Sequence, residues 1–150
     1  MRQTISSAEQ MESLGIEIAK HLRAGDLVLL EGELGAGKTT LTRGIGEGLG
    51  AKGTVQSPTF VLARTHKTEA GPKLVHVDAY RLGSALELDD LDIDFEKSIV
   101  VIEWPRDFLD SQLTQYLRIK IDRTRQDDVR EIEIEAVGAR WQGVEIAAGN

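Results

Sequence analysis

Residues 27–39 read Leu27-Val28-Leu29-Leu30-Glu31-Gly32-Glu33-Leu34-Gly35-Ala36-Gly37-Lys38-Thr39. An aliphatic run, a glycine-rich turn and a Lys-Thr pair follow one another without a break. Residues 32–39 match G-x-x-x-x-G-K-[ST] in full, and each fixed position has a physical reason. Gly35 and Gly37 let the backbone turn tightly and aim successive N–H groups inward at phosphate oxygens. Lys38 brings a point charge to the β- and γ-phosphates, and the Thr39 hydroxyl is a ligand for Mg²⁺. A helix starting at this point adds the positive end of its dipole. Asp26 to Glu31 reads as a short strand, apolar almost throughout because both faces of the sheet are covered. Thr39 to Leu49 reads as a helix that stops at Gly50. Strand, turn and helix are the context the motif requires, and they predict an α/β fold of the phosphate-loop NTPase type. The expected form is a three-layer sandwich whose mixed sheet has parallel core strands and antiparallel hairpins.

The flanking sequence extends this plan. Met11, Leu14, Ile18 and Leu22 recur at helical spacing, predicting an amphipathic helix over about residues 7–23. Ser6 and Glu9 suit a capping box at its start, and Gly25 suits a left-handed turn after its end. Two extended segments, about 59–67 and 73–78, are joined by Glu69-Ala70-Gly71-Pro72, which favours an antiparallel hairpin. Residues 84–97 are acidic and read as helical or irregular. Ser98 to Glu103 contains Ile99-Val100-Val101-Ile102, a second fully apolar strand, and the crossover before it favours parallel pairing. Near the end, Leu117, Ile119 and Ile121 alternate with Arg118, Lys120 and Asp122, and Ile132, Ile134 and Ala136 alternate with Glu131, Glu133 and Glu135. That pattern is an antiparallel hairpin with one wet face, Arg and Lys opposite Glu. Arg140 to Ala148 reads as a short closing helix.

Composition narrows the function. The chain has 150 residues, 41% of them hydrophobic and 29% charged, suited to a single domain over residues 1–150 with its own core. With no cysteine, it has no disulfide framework, thiolate metal site or cysteine nucleophile. His21, His66 and His76 lack metal-site spacing, so no zinc is expected. No aliphatic run approaches a membrane span and the N-terminus has no apolar signal core, so a cytoplasmic protein without membrane attachment is expected. The net charge of −7 argues against a broad grip on nucleic-acid phosphates.

A phosphate loop needs a further carboxylate for its metal, usually closing a buried strand. Val75-His76-Val77-Asp78 and Val100-Val101-Ile102-Glu103 both end in an acid. If these strands run parallel to Leu27–Leu30, Asp78, Glu103 and the loop share the carboxyl edge, where open α/β sheets bind ligands. One acid would hold Mg²⁺ and the other would orient water or support the first; residue type alone leaves that division open. His76 is read as a packed core histidine rather than a catalyst. Ser57-Pro58-Thr59-Phe60 lies where a switch sensing the γ-phosphate can sit. The guanine signature N/T-K-x-D has only Ile119-Lys120-Ile121-Asp122 as an approach, within a strand, which favours ATP over GTP. Arg43, Arg64, Arg81 and Arg106 are scattered, and none identifies itself as an arginine finger.

Residues 32–40, Ser57-Pro58-Thr59-Phe60, His76-Val77-Asp78-Ala79-Tyr80-Arg81-Leu82 and Ile102-Glu103-Trp104-Pro105, in this order in so short a chain, resemble the bacterial TsaE (YjeE) ATPase family. The resemblance implies a weak, partner-stimulated, Mg²⁺-dependent ATPase needed for threonylcarbamoyladenosine at position 37 of tRNAs that read codons beginning with A. It implies action on a heterodimer of the TsaB and TsaD types, with tRNA met only through that complex and the group transfer left to the partners. Carried onto this chain, it implies nucleotide contacts from Leu34, Gly35, Ala36, Gly37, Lys38, Thr39 and Thr40, with Lys38 on phosphate. Thr39 and Glu103 would ligate Mg²⁺, Asp78 would support hydrolysis, Thr59 would belong to a switch-like segment, and Trp104 would border the site. Ser7-Ala8 and Asp127 would neighbour the adenosine. Asp92 departs from the family, which often has glycine there. Two other classes use the same loop: a nucleotide-dependent binding module with incidental hydrolysis, and a small-molecule kinase.

Overall fold

The computed structural model describes residues 1–33, 35–53, 63–78, 92–103, 114–123 and 129–146. In chain order its elements are β1 (Arg2–Ile5), α1 (Ala8–Ala19), β2 (Leu27–Gly32), α2 (Lys38–Leu49), β3 (Ala63–His66), β4 (Lys73–Asp78), β5 (Ser98–Glu103), β6 (Tyr116–Arg123) and β7 (Arg130–Val137), followed by a 3₁₀ turn at Ala139–Trp141. The strands form one seven-stranded sheet in the order β1-β7-β6-β2-β5-β4-β3. β2 pairs in parallel with both β5 and β6, and β4 pairs in parallel with β5. The remaining pairs, β3 with β4, β6 with β7 and β1 with β7, are antiparallel. This is the mixed α/β sheet expected from the sequence, with a parallel core and antiparallel flanks.

Alternation sorts the strand residues onto two faces. Val28, Leu30, Leu74, Ile99, Val101, Leu117, Ile119 and Ile121 form one core with Met11, Leu14 and Ile18 of α1 and Leu41, Ile45 and Leu49 of α2. Leu27, Leu29, Val75, Val77, Val100 and Ile102 form a second core on the other face, against which Ile93 and Phe95 pack. β2, β4 and β5 are therefore buried on both faces, which is why their sequences do not alternate. Two of the three expected layers, the sheet and one helical layer, are built from described residues. The expected second layer falls on segments outside them.

α1 and α2 meet closely because small residues line the contact. A Cβ on Gly15 would run into the Leu41 carbonyl, and a Cβ on Gly44 into the Glu12 carbonyl. Three glycines between residues 44 and 48 weaken α2 as an isolated helix, yet they are what lets α1 lie against it. Gly50 ends α2 in the left-handed conformation, φ +68°, as the sequence predicts.

Several expectations need correction. The N-cap of α1 is Ser7, whose side chain accepts from the Gln10 N–H at 3.1 Å, while Gln10 Oε1 accepts from the Ser6 N–H at 2.7 Å. The reciprocal capping thus sits one residue later than the Ser6–Glu9 pair. α1 stops at Ala19 rather than near residue 23, because the chain tightens into turns with the His21 and Leu22 N–H groups donating to the Ile18 and Ala19 carbonyls. β1 has no counterpart in the sequence reading. It is four residues long and only Ile5 is buried, so its pairing with β7 rather than its own pattern makes it a strand. The closing helix expected over 140–148 does not form in its described part: Ala139–Trp141 make a three-residue turn and Gly143, at φ +76°, breaks continuation, while residues 147 and 148 lie outside the described residues. Asp92, at the departure from the family, holds φ +54°, a left-handed conformation that glycine adopts freely and aspartate tolerates.

Gly44→Ala tests the helix contact. Alanine raises helix propensity, yet the clash with the Glu12 carbonyl should dominate and lower stability by about 1–3 kcal/mol. Urea unfolding followed by circular dichroism reads the difference, and an unchanged or raised midpoint would disprove the close contact.

Candidate functional site

The parallel pairing brings the carboxyl ends of β2, β4, β5 and β6 to one edge. The antiparallel relation of β7 to β1 and β6 places the start of β7 and the end of β1, hence the start of α1, at the same edge. The chain leaves β2 at Gly32, turns with positive φ at Gly35 (+79°) and Gly37 (+112°), and enters α2 at Lys38. Gly37 is the N-cap of α2 and offers no side-chain cap, and the positive end of the helix dipole there suits an anion.

Lys38 is buried, and its Nζ donates to the Gly32 carbonyl at 2.6 Å. The ammonium is thus folded back over the loop instead of extending into solvent. The Thr42 hydroxyl donates to the Lys38 carbonyl at 2.8 Å, fixing the first turn of α2 from within the core. Thr39 and Thr40 are half-buried in that turn.

Asp78 and Glu103 are the last residues of adjacent parallel strands and stand directly side by side in the register. Leu30, two residues before the end of β2, is level with Glu103. Both acids lie on the helix-covered face, at 8% and 6% exposure, which makes them a pair of hard oxygen donors beside the loop rather than solvated strand ends. His76 is fully buried one pleat below Asp78, and its Nε2 lies 3.4 Å from Glu103 Oε1. Among the described residues neither ring nitrogen makes a hydrogen bond of ordinary geometry. Its packed position agrees with the sequence reading, but the carboxylate it faces was not anticipated.

On the other face, the Arg118 Nε and Nη2 donate to Glu31 Oε2 at 3.0 and 2.8 Å. This hydrogen bond holds the guanidinium pKa above its ordinary value and ties the end of β2 to β6 just before the loop begins.

Arg130 was not among the arginines singled out by sequence. It is the first residue of β7, yet its Nε donates to the Ala36 carbonyl at 3.1 Å and its Nη2 to the Gly35 carbonyl at 3.4 Å. Arg123 also comes to the loop, its Nη1 lying 3.4 Å from where a Cβ on Gly35 would stand. Both are about 90 residues from the motif, and only the hairpin register brings them there. By contrast, Arg43 is exposed on α2 and Arg64 lies on β3; Arg81 and Arg106 lie outside the described residues.

Ser7, Ala8 and Met11 of α1 face Gly37, Thr40 and Arg130 across a recess of about 160 Å³. The structure therefore brings Ala8 to the loop. A larger recess of about 250 Å³ lies at the opposite edge, by Asp26 and Arg140. There Asp26 accepts two hydrogen bonds from Arg140, at 2.8 and 2.9 Å, and one from the Arg23 N–H at 2.8 Å, so its charge is already matched. The smaller recess adjoins the motif and is the better site. Of the other residues expected here, Leu34, Thr59, Trp104 and Asp127 lie outside the described residues. No group of three or more potential metal ligands occurs among the described residues, and none of the described helices is long and apolar enough to cross a membrane.

A mixed sheet with a parallel core and a phosphate-loop sequence at the carboxyl edge of that core, flanked by two buried acids, defines a phosphate-loop α/β protein. The family model described as "Threonylcarbamoyl adenosine biosynthesis protein TsaE" matches residues 5–132, and the chain belongs to the TsaE family. Relatives named tRNA threonylcarbamoyladenosine biosynthesis protein TsaE include one from Streptomyces coelicolor, 51% identical over 91% of this chain and 97% of its own length. Another, from Bacillus subtilis, is 38% identical over 89% of this chain and 84% of its own length. The crystal structure of Bacillus subtilis YdiB superposes with a TM-score of 0.75 at 34% identity, covering 95% of this chain and 88% of that one.

The burial of His76 generates a prediction. His76→Ala opens a void beneath Glu103 and should cost about 2–4 kcal/mol of stability. Denaturant unfolding measures it, and a loss within a few tenths of a kcal/mol would show that the position is not packed as described.

Proposed function

We propose that this chain is the ATP-binding and ATP-hydrolysing subunit of a cytoplasmic system that makes threonylcarbamoyladenosine on tRNA. One observation carries the reading: the Lys38 ammonium is held against the Gly32 carbonyl at the uncapped start of α2, beside a strand edge where Asp78 and Glu103 are neighbours. Family membership supplies the tRNA-modification context.

The residues fit Mg²⁺ by chemistry. A threonine hydroxyl and buried carboxylates are hard oxygen donors, and Mg²⁺ commonly takes one or two such ligands together with phosphate oxygens and water. Thr39 and Glu103 would hold it, and when bound it neutralises charge developing on the phosphates. Lys38 and the N–H groups at the start of α2 orient the triphosphate. Asp78 accepts a hydrogen bond from the attacking water. The water oxygen then bonds to the γ-phosphorus, the β–γ bridging P–O bond breaks, and ADP and inorganic phosphate leave with release of the water's proton.

The free energy of that hydrolysis drives a change in a partner. The net charge of −7 suits a chain that meets tRNA only through its assembly with a TsaB/TsaD-type heterodimer. Slow turnover by the isolated chain and faster turnover with that heterodimer are expected. The decisive comparison is multiple-turnover tRNA modification with ATP and with a non-hydrolysable analogue. Full modification with the analogue would replace the ATPase reading with that of a binding module, and phosphate transfer to a small molecule would replace it with that of a kinase. Lys38→Ala and Glu103→Ala should each lower partner-stimulated turnover at least ~10-fold, about 1.4 kcal/mol of barrier. Phosphate release by the purified variants checks this, and normal turnover in either would remove the role assigned to it.

A further inference from the structure

Arg130 sits at the first position of β7, held in register opposite Arg123 of β6 on one side and Ile5 of β1 on the other. The strand end that carries it is therefore fixed by two neighbours. From there, among the described residues, its guanidinium donates to the backbone carbonyls of Ala36 (3.1 Å), Gly35 (3.4 Å) and Val129 (3.1 Å).

The two loop carbonyls belong to consecutive peptides. Because a trans peptide points its C=O and N–H in opposite directions, holding each carbonyl toward Arg130 turns the following N–H away from it. The Ala36 N–H is used internally, donating to the Glu33 carbonyl at 3.0 Å. The Gly37 N–H is directed away from the arginine by the Ala36 carbonyl contact. These are also the peptides best able to rotate, since Gly35 and Gly37 flank them with positive φ and no Cβ to resist a flip. A flipped peptide would present a carbonyl oxygen, with its partial negative charge, where a phosphate oxygen must come. A glycine-rich loop gains its tight turn at the cost of a defined peptide orientation, and here that orientation is supplied from outside the loop.

We infer that Arg130 is a positioning residue for the phosphate loop: by holding the Ala36 carbonyl it keeps the Gly37 N–H in its anion-receiving orientation, and by holding the Gly35 carbonyl it braces the preceding peptide, whose N–H closes the turn on Glu33. The planar fork is suited to gripping two successive carbonyls at once, which a lysine ammonium is not. The clamp also makes the terminal hairpin, which follows the motif by some 90 residues, part of the nucleotide seat. This rests on the proposed reading that the loop binds the phosphates of ATP.

The test is titration of wild type, R130A, R130K and K38A with ATP and, separately, with inorganic tripolyphosphate, all in EDTA so that no metal contributes. R130A should lose affinity about tenfold or more for both ligands, as expected for charge-assisted hydrogen bonds. Added guanidinium should restore part of it, and R130K should stay weak. Three results would overturn the inference: unchanged affinity in R130A, loss for ATP with tripolyphosphate unaffected, or wild-type affinity in R130K. The second would mean that Arg130 serves the nucleoside instead of the loop. K38A separates the two levels, because unchanged ATP and tripolyphosphate binding in K38A would sink the phosphate-loop reading itself. If R130A does not fold, amide hydrogen exchange at residues 35–37 in R130K decides: faster exchange there supports the clamp, and wild-type rates disprove it.

Discussion

The parallel register of β2, β5 and β4 is the constraint on which the rest depends. It sets Leu30 level with Glu103 and Glu103 level with Asp78, so a phosphate-loop sequence and two acids far beyond it in the chain arrive at one edge. Because side chains alternate faces, a slip of one residue in β5 would move Glu103 to the other side of the sheet and put an apolar residue in its place. The uninterrupted burial of Ser98–Glu103 makes such a slip costly: on both faces the strand is matched to apolar neighbours.

The helical layer is subordinate to that sheet. α2 is a poor helix by composition, with glycines at 44, 46 and 48, and is stabilised by what it buries. Leu41 and Ile45 are fully inaccessible, each side chain contributing roughly 1.5–3 kcal/mol. The close approach of α1 fixes the direction of α2 and brings the start of α1 beside the loop. At the far edge, Arg140 ties the turn after β7 to Asp26 and to the His21 carbonyl, at 2.7 Å, closing the sheet's amino side. Fold and site thus share their parts: contacts that orient α2 also orient Lys38.

Much of this was legible in residue pattern. Continuous apolar runs marked β2 and β5, alternation marked the β6–β7 hairpin, and the register places Arg118 and Lys120 opposite Glu135 and Glu133, as the charge pattern suggested. The acids could be placed at the loop because strand ends are readable once parallel order is assumed. What could not be read depends on partners distant in sequence. β1 is a strand only because β7 is there, and Ala139–Trp141 form only a short turn because Gly143 interrupts continuation. Arg130 and Arg123 carry no local signature. They reach Gly35 and Ala36 through a hairpin register that residue types do not encode. His76 was correctly read as packed, but its approach to Glu103 follows from strand pleating and adjacency together.

The central claim is that the carboxyl edge is the seat of a metal-bound nucleotide. Hydrogen exchange of backbone amides, with and without Mg²⁺-ATP, tests it most directly because it reports location as well as binding. Slowed exchange concentrated at residues 35–40 and at the ends of β4 and β5 is the predicted result. Saturating Mg²⁺-ATP that leaves those amides unchanged, or protects the Asp26–Arg140 edge instead, would contradict it.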